Sequence, residues 1–154
     1  MLPVAILTGG LATRLRPITK SIPKALIEVA GKPFIAHQLQ YLRLQGITSV
    51  ILCTGYLGEM IQNFVGNGSN WDLEVNYSSD GSILLGTGGA LKRALPRLGE
   101  NFFVLYGDSY LPINYVNVQK AFIDSGKLGL MTVLHNKNQF SHSWFSNLLI
   151  LYFL

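Results

Sequence analysis

Val4-Ala5-Ile6-Leu7-Thr8-Gly9-Gly10-Leu11-Ala12-Thr13-Arg14-Leu15-Arg16-Pro17 is the stretch on which the fold turns. Its first four residues form an apolar run cut off by glycines, the pattern of a short parallel strand buried on both faces. In an open α/β sheet, ligands sit beyond the carboxyl ends of the strands, so the loop that follows is where one would be met. Gly9 and Gly10 keep side chains out of the way and leave N–H groups free to meet base or phosphate oxygens. Arg14 and Arg16 supply fixed charge, and one guanidinium can hold two phosphate oxygens at once. Lys24 follows Pro23, which stiffens the chain just before it. A glycine-rich turn with surface cations is the alternative, and the glycine pair alone leaves both open. The loop has neither the G-x-G-x-x-G spacing of dinucleotide sites nor the G-x-x-x-x-G-K-[ST] of a P-loop.

Outward from this loop, strand and helix signals alternate. Pro33 opens a segment with Phe34, Ile35, Leu39 and Leu42 at helical spacing, stopping near Gly46. Ser49 to Thr54 is a second buried strand, and Leu57 to Val65 a short helix closed by Gly66-Asn67-Gly68. Leu73 to Tyr77 alternates like a half-buried strand, and Asp80-Gly81 is a turn signal. Thr87 to Leu98 has a helical pattern, with Thr87 as its N-cap and Pro96 predicting an early end or a kink. Phe102 to Tyr106 is a strand ending in Gly107-Asp108, Val116 to Ser125 a helix, and Leu128 to Leu134 a strand. This order predicts an α/β fold: a three-layer α/β/α, Rossmann-like arrangement around a mainly parallel sheet.

Bulk properties narrow the function. The 154 residues, 49% hydrophobic and 13% charged, suit one globular domain with a real core. The net charge of +4 comes from scattered Lys and Arg, so there is no basic stripe for nucleic acid. Cys53 is the single cysteine, which excludes an internal disulfide and predicts a buried core thiol. No basic segment precedes the first apolar run, and Thr8-Gly9-Gly10 interrupts it early; no membrane span is expected, and the chain is expected to be cytoplasmic. His37, His135 and His142 lack ligand spacing, Asp80 and Glu28 are expected to be solvated or structural, and Tyr56 to pack near the second strand end.

The stretch Leu7 to Thr19, then Pro23-Lys24-Ala25-Leu26, then Gly31-Lys32-Pro33, closely resembles the signature of the sugar-1-phosphate nucleotidyltransferase family. That signature runs G-G-x-G-T-R-L-x-P-x-T, a short gap, P-K-x-[ML], and G-[KR]-P. Ala12 stands where glycine is usual, a mild change. Resemblance continues through Leu85-Gly86-Thr87-Gly88-Gly89-Ala90 and Gly107-Asp108, and covers about residues 2 to 138. It implies the nucleotide-diphospho-sugar transferase type of fold and a reaction of NTP with sugar 1-phosphate to give NDP-sugar and pyrophosphate. It also implies Mg²⁺ as cofactor. By position, Arg14 would hold the departing β- and γ-phosphates, and Lys24 the α-phosphate or the sugar phosphate. Asp108 would ligate Mg²⁺. Leu7, Gly9, Gly10, Thr13 and Arg14 would seat the nucleotide from one side, and Gly86, Thr87, Gly88 and Gly89 from the other. Gly107-Asp108 by itself is equally an ordinary turn, with Asp108 capping a nearby helix. The motif at Leu85 to Ala90 looks closest to branches that make GDP-mannose or GDP-heptose.

The pattern fails at the end. From Phe140 to Leu154 there is no Lys, Arg, Asp, Glu, Gly or Pro, and no clean period. The sequence divides into 1–139, the nucleotide-binding region, and 140–154, an atypical apolar tail that is either a terminal strand or outside the fold. In the family, a second metal-binding aspartate and much of the sugar pocket lie further on, whereas the last acidic residue here is Asp124. A truncated or frameshifted reading frame is the expectation, with a fold incomplete at the C-terminus; a short member that pairs through its tail is the alternative. Two functions follow: an active transferase, or a nucleotide-binding remnant without turnover. Uncovered apolar surface would promote self-association.

Overall fold

A computed structural model of the chain describes residues 1–133 and 149–153. Strand β1 (Val4–Leu7) leads into a long loop with tight turns at Thr13–Leu15, Ile18–Lys20 and Lys24–Leu26. A two-residue hairpin, β2 (Glu28–Val29) with β3 (Lys32–Pro33), brings the chain to helix α1 (Phe34–Leu44). Then come β4 (Ser49–Thr54), α2 (Gly58–Val65), β5 (Glu74–Ser79), α3 (Gly86–Leu98), β6 (Asn101–Tyr106) and α4 (Tyr115–Ser125). Strands β7 (Gly129–Thr132) and β8 (Leu149–Phe153) complete the described residues.

The main sheet has the order β5-β4-β1-β6-β8-β7. The run from β5 to β6 is parallel throughout, and β8 is antiparallel to both its neighbours. Alternation along the central strands sorts the core into two layers. Val4, Ile6, Val50, Leu52, Phe103 and Leu105 face α1, α2 and α4, where Ile35, Leu39, Ile61, Val65, Tyr115 and Phe122 meet them. Ala5, Ile51, Cys53, Phe102 and Val104 face α3, which offers Ala90, Ala94 and Leu98. The three-layer, mainly parallel α/β architecture read from the sequence is therefore the one observed.

Two local readings are corrected. Thr87 does not cap α3: the helix begins at Gly86, its N-cap position is Leu85, and no side chain of that residue caps it. Pro96 does not end the helix, which continues to Leu98. Pro96 lies on the exposed face, while Ala94 and Leu98 are buried and hold the last turn against the sheet, so packing outweighs the lost hydrogen bond. The readings that concern Leu134, His135, His142, the boundary at 139 and residues 140–148 and 154 of the tail lie outside the described residues.

Candidate functional site

Register across the sheet builds the floor of a cleft. Leu7 pairs with Cys53 on one side and Tyr106 on the other, so these three residues form a row at the carboxyl edge. Above the row opens a cleft of about 320 Å³. One wall is the loop after β1, with Thr8, Gly9, Gly10, Ala12, Arg14 and Leu15, joined by Lys24 and Ala25. The opposite wall is Asp80, Leu84, Gly86, Thr87 and Ala90, and Gly107-Asp108 close the far end. The chain leaves β1 toward β4 and β5, then returns to pair β6 on the other side. The cleft thus lies at the point where strand order reverses, the usual ligand position of such sheets.

The loop after β1 is fastened at several points. Thr8 donates from both N–H and Oγ1 to the Cys53 carbonyl, each at 2.9 Å. Gly9 lies against Gly55: a Cβ on Gly55 would come within 2.8 Å of the Gly9 carbonyl oxygen, so the two backbones touch only because neither has a side chain. Gly10, by contrast, faces open space. Buried Thr19 donates to the Ala12 carbonyl (3.0 Å), and the Tyr56 hydroxyl donates to the Lys20 carbonyl (2.9 Å). Ala12 itself has φ +46°, in the left-handed region. The residue at which the sequence departs from the family signature is thus one whose backbone favours glycine.

Of the residues singled out in the sequence, Leu7, Gly9, Gly10, Arg14, Lys24, Gly86, Thr87 and Asp108 come together in the cleft. Thr13, Arg16, Gly88 and Gly89 are not in its walls: Thr13 starts the first tight turn, and Gly88 and Gly89 lie in the first turns of α3. Lys24 Nζ donates to Asp108 Oδ2 at 2.6 Å, both side chains being 38% exposed. Asp108 is not a helix cap; the side chain of Asn114 caps α4 by accepting from the Asn117 N–H at 2.9 Å. Among the described residues no three His, Cys, Asp or Glu side chains gather into a metal cage. Asp108, a half-exposed carboxylate beside Lys24, suits Mg²⁺, which keeps its waters and takes few protein ligands alongside substrate phosphates.

Of the two readings of Asp80, solvated or structural, the second is the one observed. Asp80 stands directly after β5, is 6% exposed and lines the cleft. Its Oδ2 accepts the Leu85 N–H at 3.1 Å at the start of α3, and its Oδ1 is buried without a partner among the described residues. Burial, then the charge of Asp80, push the thiol of neighbouring Cys53 up to about 12. The sequence signal for Asp80 was an acidic residue between a strand end and the glycine-rich start of α3; its burial belongs to tertiary packing. Asp80 and Asp108 follow strands three places apart, so about 14 Å of sheet edge separates their backbones.

A model of the nucleotidyl transferase family matches residues 4–143. The chain is 40% identical over 118 residues to D-glycero-alpha-D-manno-heptose 1-phosphate guanylyltransferase of Aneurinibacillus thermoaerophilus, covering 76% of this chain and 49% of that protein. It is 37% identical over 111 residues to N-acetylmuramate alpha-1-phosphate uridylyltransferase of Neisseria meningitidis serogroup B, covering 71% and 48%. The crystal structure of HddC from Yersinia pseudotuberculosis complexed with GMP-PN superposes with a TM-score of 0.72 at 26% identity, covering 97% of this chain and 76% of that one. The chain spans about half the length of the curated relatives it matches.

Proposed function

The chain belongs to the nucleotidyl transferase family, and from that premise we propose that it binds GTP for transfer of GMP to a sugar 1-phosphate, with release of pyrophosphate. What supports the choice of base is the 40% identity over 118 residues to a heptose 1-phosphate guanylyltransferase. The separation of Asp80 from the Lys24–Asp108 end, about 14 Å along the edge, suits a nucleotide laid with its base at one end and its phosphates at the other.

In this reading an oxygen of the sugar phosphate attacks the α-phosphorus of GTP, and the bond to the β-phosphate oxygen breaks. Two anions must be brought together, so the protein's work is positioning and neutralisation. Arg14 offsets charge on the departing pyrophosphate, and Lys24 holds the α-phosphate or the incoming phosphate. Thr8 and the Gly9–Gly55 contact fix the loop that presents them. Asp108 would hold Mg²⁺, which supplies further charge neutralisation at the phosphates when bound.

The test is pyrophosphate release with GTP, UTP, CTP and dTTP against a panel of sugar 1-phosphates, heptose and mannose forms included. GTP is expected to be preferred. Preference for UTP in the unmodified chain would overturn the base assignment. A second reading, nucleotide binding without turnover, is favoured by one observation: of the carboxylates lining the described cleft, only Asp108 touches a cation assigned to phosphate. GTP binding without pyrophosphate release from any pair would support it. Among the described residues no helix is long and apolar enough to cross a membrane. Action in the cytoplasm, where nucleoside triphosphates are abundant, belongs to the same proposal. So does self-association through the side where Leu128, Met131 and Val133 lie exposed, which light scattering reads directly.

A further inference from the structure

Gln38 is the one glutamine of α1 that the fold buries, at 2% exposure among Ile35, Leu39 and Leu42. A polar side chain there must be hydrogen-bonded or it destabilises the core. Its Nε2 donates to the Tyr106 carbonyl at 3.1 Å and to the Ser109 carbonyl at 2.7 Å. Those carbonyls stand at the two ends of the turn Tyr106-Gly107-Asp108-Ser109. The turn is closed by the Ser109 N–H on the Tyr106 carbonyl (3.0 Å) and tied to β1 by the Gly107 N–H on the Leu7 carbonyl (2.9 Å). Gln38 Oε1 has no partner among the described residues, so the side chain is oriented through its amide nitrogen alone. An apolar residue would fill the same core position without leaving an acceptor unpaired. What glutamine adds is a clamp across the turn that carries Asp108.

We propose that Gln38 is the positioning residue that aims Asp108 into the cleft and so sets the Mg²⁺-dependent part of nucleotide binding. This rests on the reading of Asp108 as the metal ligand. Groups that orient a metal-binding side chain commonly affect metal affinity by roughly 10-fold or more, although they never touch the ion.

The experiment titrates the chain with GTP by calorimetry, with and without MgCl₂, and takes the ratio of the two affinities. Gln38→Met keeps the shape and removes the donors. It is expected to cut the magnesium ratio by about 10-fold, with metal-free GTP affinity changed by less than about twofold. Asp108→Asn is expected to remove the ratio, and Gln38→Met added to it to cause no further loss. If Asp108→Asn keeps the full ratio, the metal reading falls. If Asp108→Asn loses it while Gln38→Met keeps it, Gln38 is structural only and the proposal is overturned. Gln38→Glu gives a second test that stands if the methionine variant does not fold. Protonated, it donates one hydrogen bond; ionised, it donates none and repels both carbonyls. Its magnesium ratio, relative to the unmodified chain, must therefore fall as pH rises from about 5 to 9, in whatever part of that range burial places its titration. A profile parallel to that of the unmodified chain overturns the proposal.

Discussion

Lys24 and Asp108 are 84 positions apart in sequence and 2.6 Å apart in space. At 38% exposure each, the pair is screened and adds at most about 1 kcal/mol to stability. Each group instead neutralises the other until a ligand arrives. Asp108→Asn should therefore change the melting free energy by less than about 1 kcal/mol. It should also strengthen metal-free GTP binding, because it frees Lys24 and removes an anion facing the phosphates. Calorimetry without Mg²⁺ checks this; weaker binding than in the unmodified chain would contradict it.

Arg14 lines the cleft from the loop after β1. Assigned to the departing phosphates, it should matter to GTP and hardly to GMP. Arg14→Ala removes charge-assisted hydrogen bonds of about 1.5–3 kcal/mol, so GTP affinity should fall by roughly 10-fold or more. Equal losses for GTP and GMP would remove the assignment.

Ala12 holds a left-handed backbone at φ +46° with its carbonyl engaged by Thr19. That conformation costs an L-residue about 1–2 kcal/mol, while glycine brings about 0.5–1 kcal/mol of extra unfolded-state entropy. Ala12→Gly should stabilise the chain by about 0.5–1 kcal/mol in urea unfolding. A loss of stability would show that the loop is held by something other than this geometry.

Alkaline pH should weaken the fold. The Cys53 thiol is raised from 9.0 to about 12, by burial first and the charge of Asp80 second. The Tyr115 hydroxyl is raised by burial first and by neighbouring Tyr41 second, and burial raises that of Tyr77. All three hold their protons more tightly folded than unfolded. The unfolded chain therefore releases protons first, and stability, full below pH 9, declines as pH climbs above it. Cys53 alone could account for up to about 4 kcal/mol by pH 12. Denaturation series at increasing pH should show a shallower decline for Cys53→Ala.

The parts of the fold legible in sequence are those set by local pattern. Ser49 to Thr54 has an unbroken apolar run from Val50 to Cys53 and is bounded by Gly55, and it forms the strand with those ends. Helix ends were less legible. Thr87 has a capping side chain, yet Asp80, at the end of the preceding strand, serves the start of α3 through the Leu85 N–H. Pro96 is a helix breaker by backbone chemistry, and only the burial of Ala94 and Leu98 overrides it. In the cleft, the glycines and cations announce themselves by motif. Asp80 and Gln38 do not, because an aspartate before glycine suggests a turn and a helical glutamine suggests solvent. Their places depend on strand order, which no local window contains.

Cys53 in the floor of the cleft gives the molecule a built-in clock. It is the chain's single thiol, it is buried, and with its proton held to about 12 only about one molecule in ten thousand carries the reactive thiolate at pH 8. A thiol reagent must wait for the carboxyl end of β4 to open before it can react, so the labelling rate times that opening. An occupant of the cleft would slow the clock, and the delay at increasing nucleotide concentration would read its affinity without any added probe.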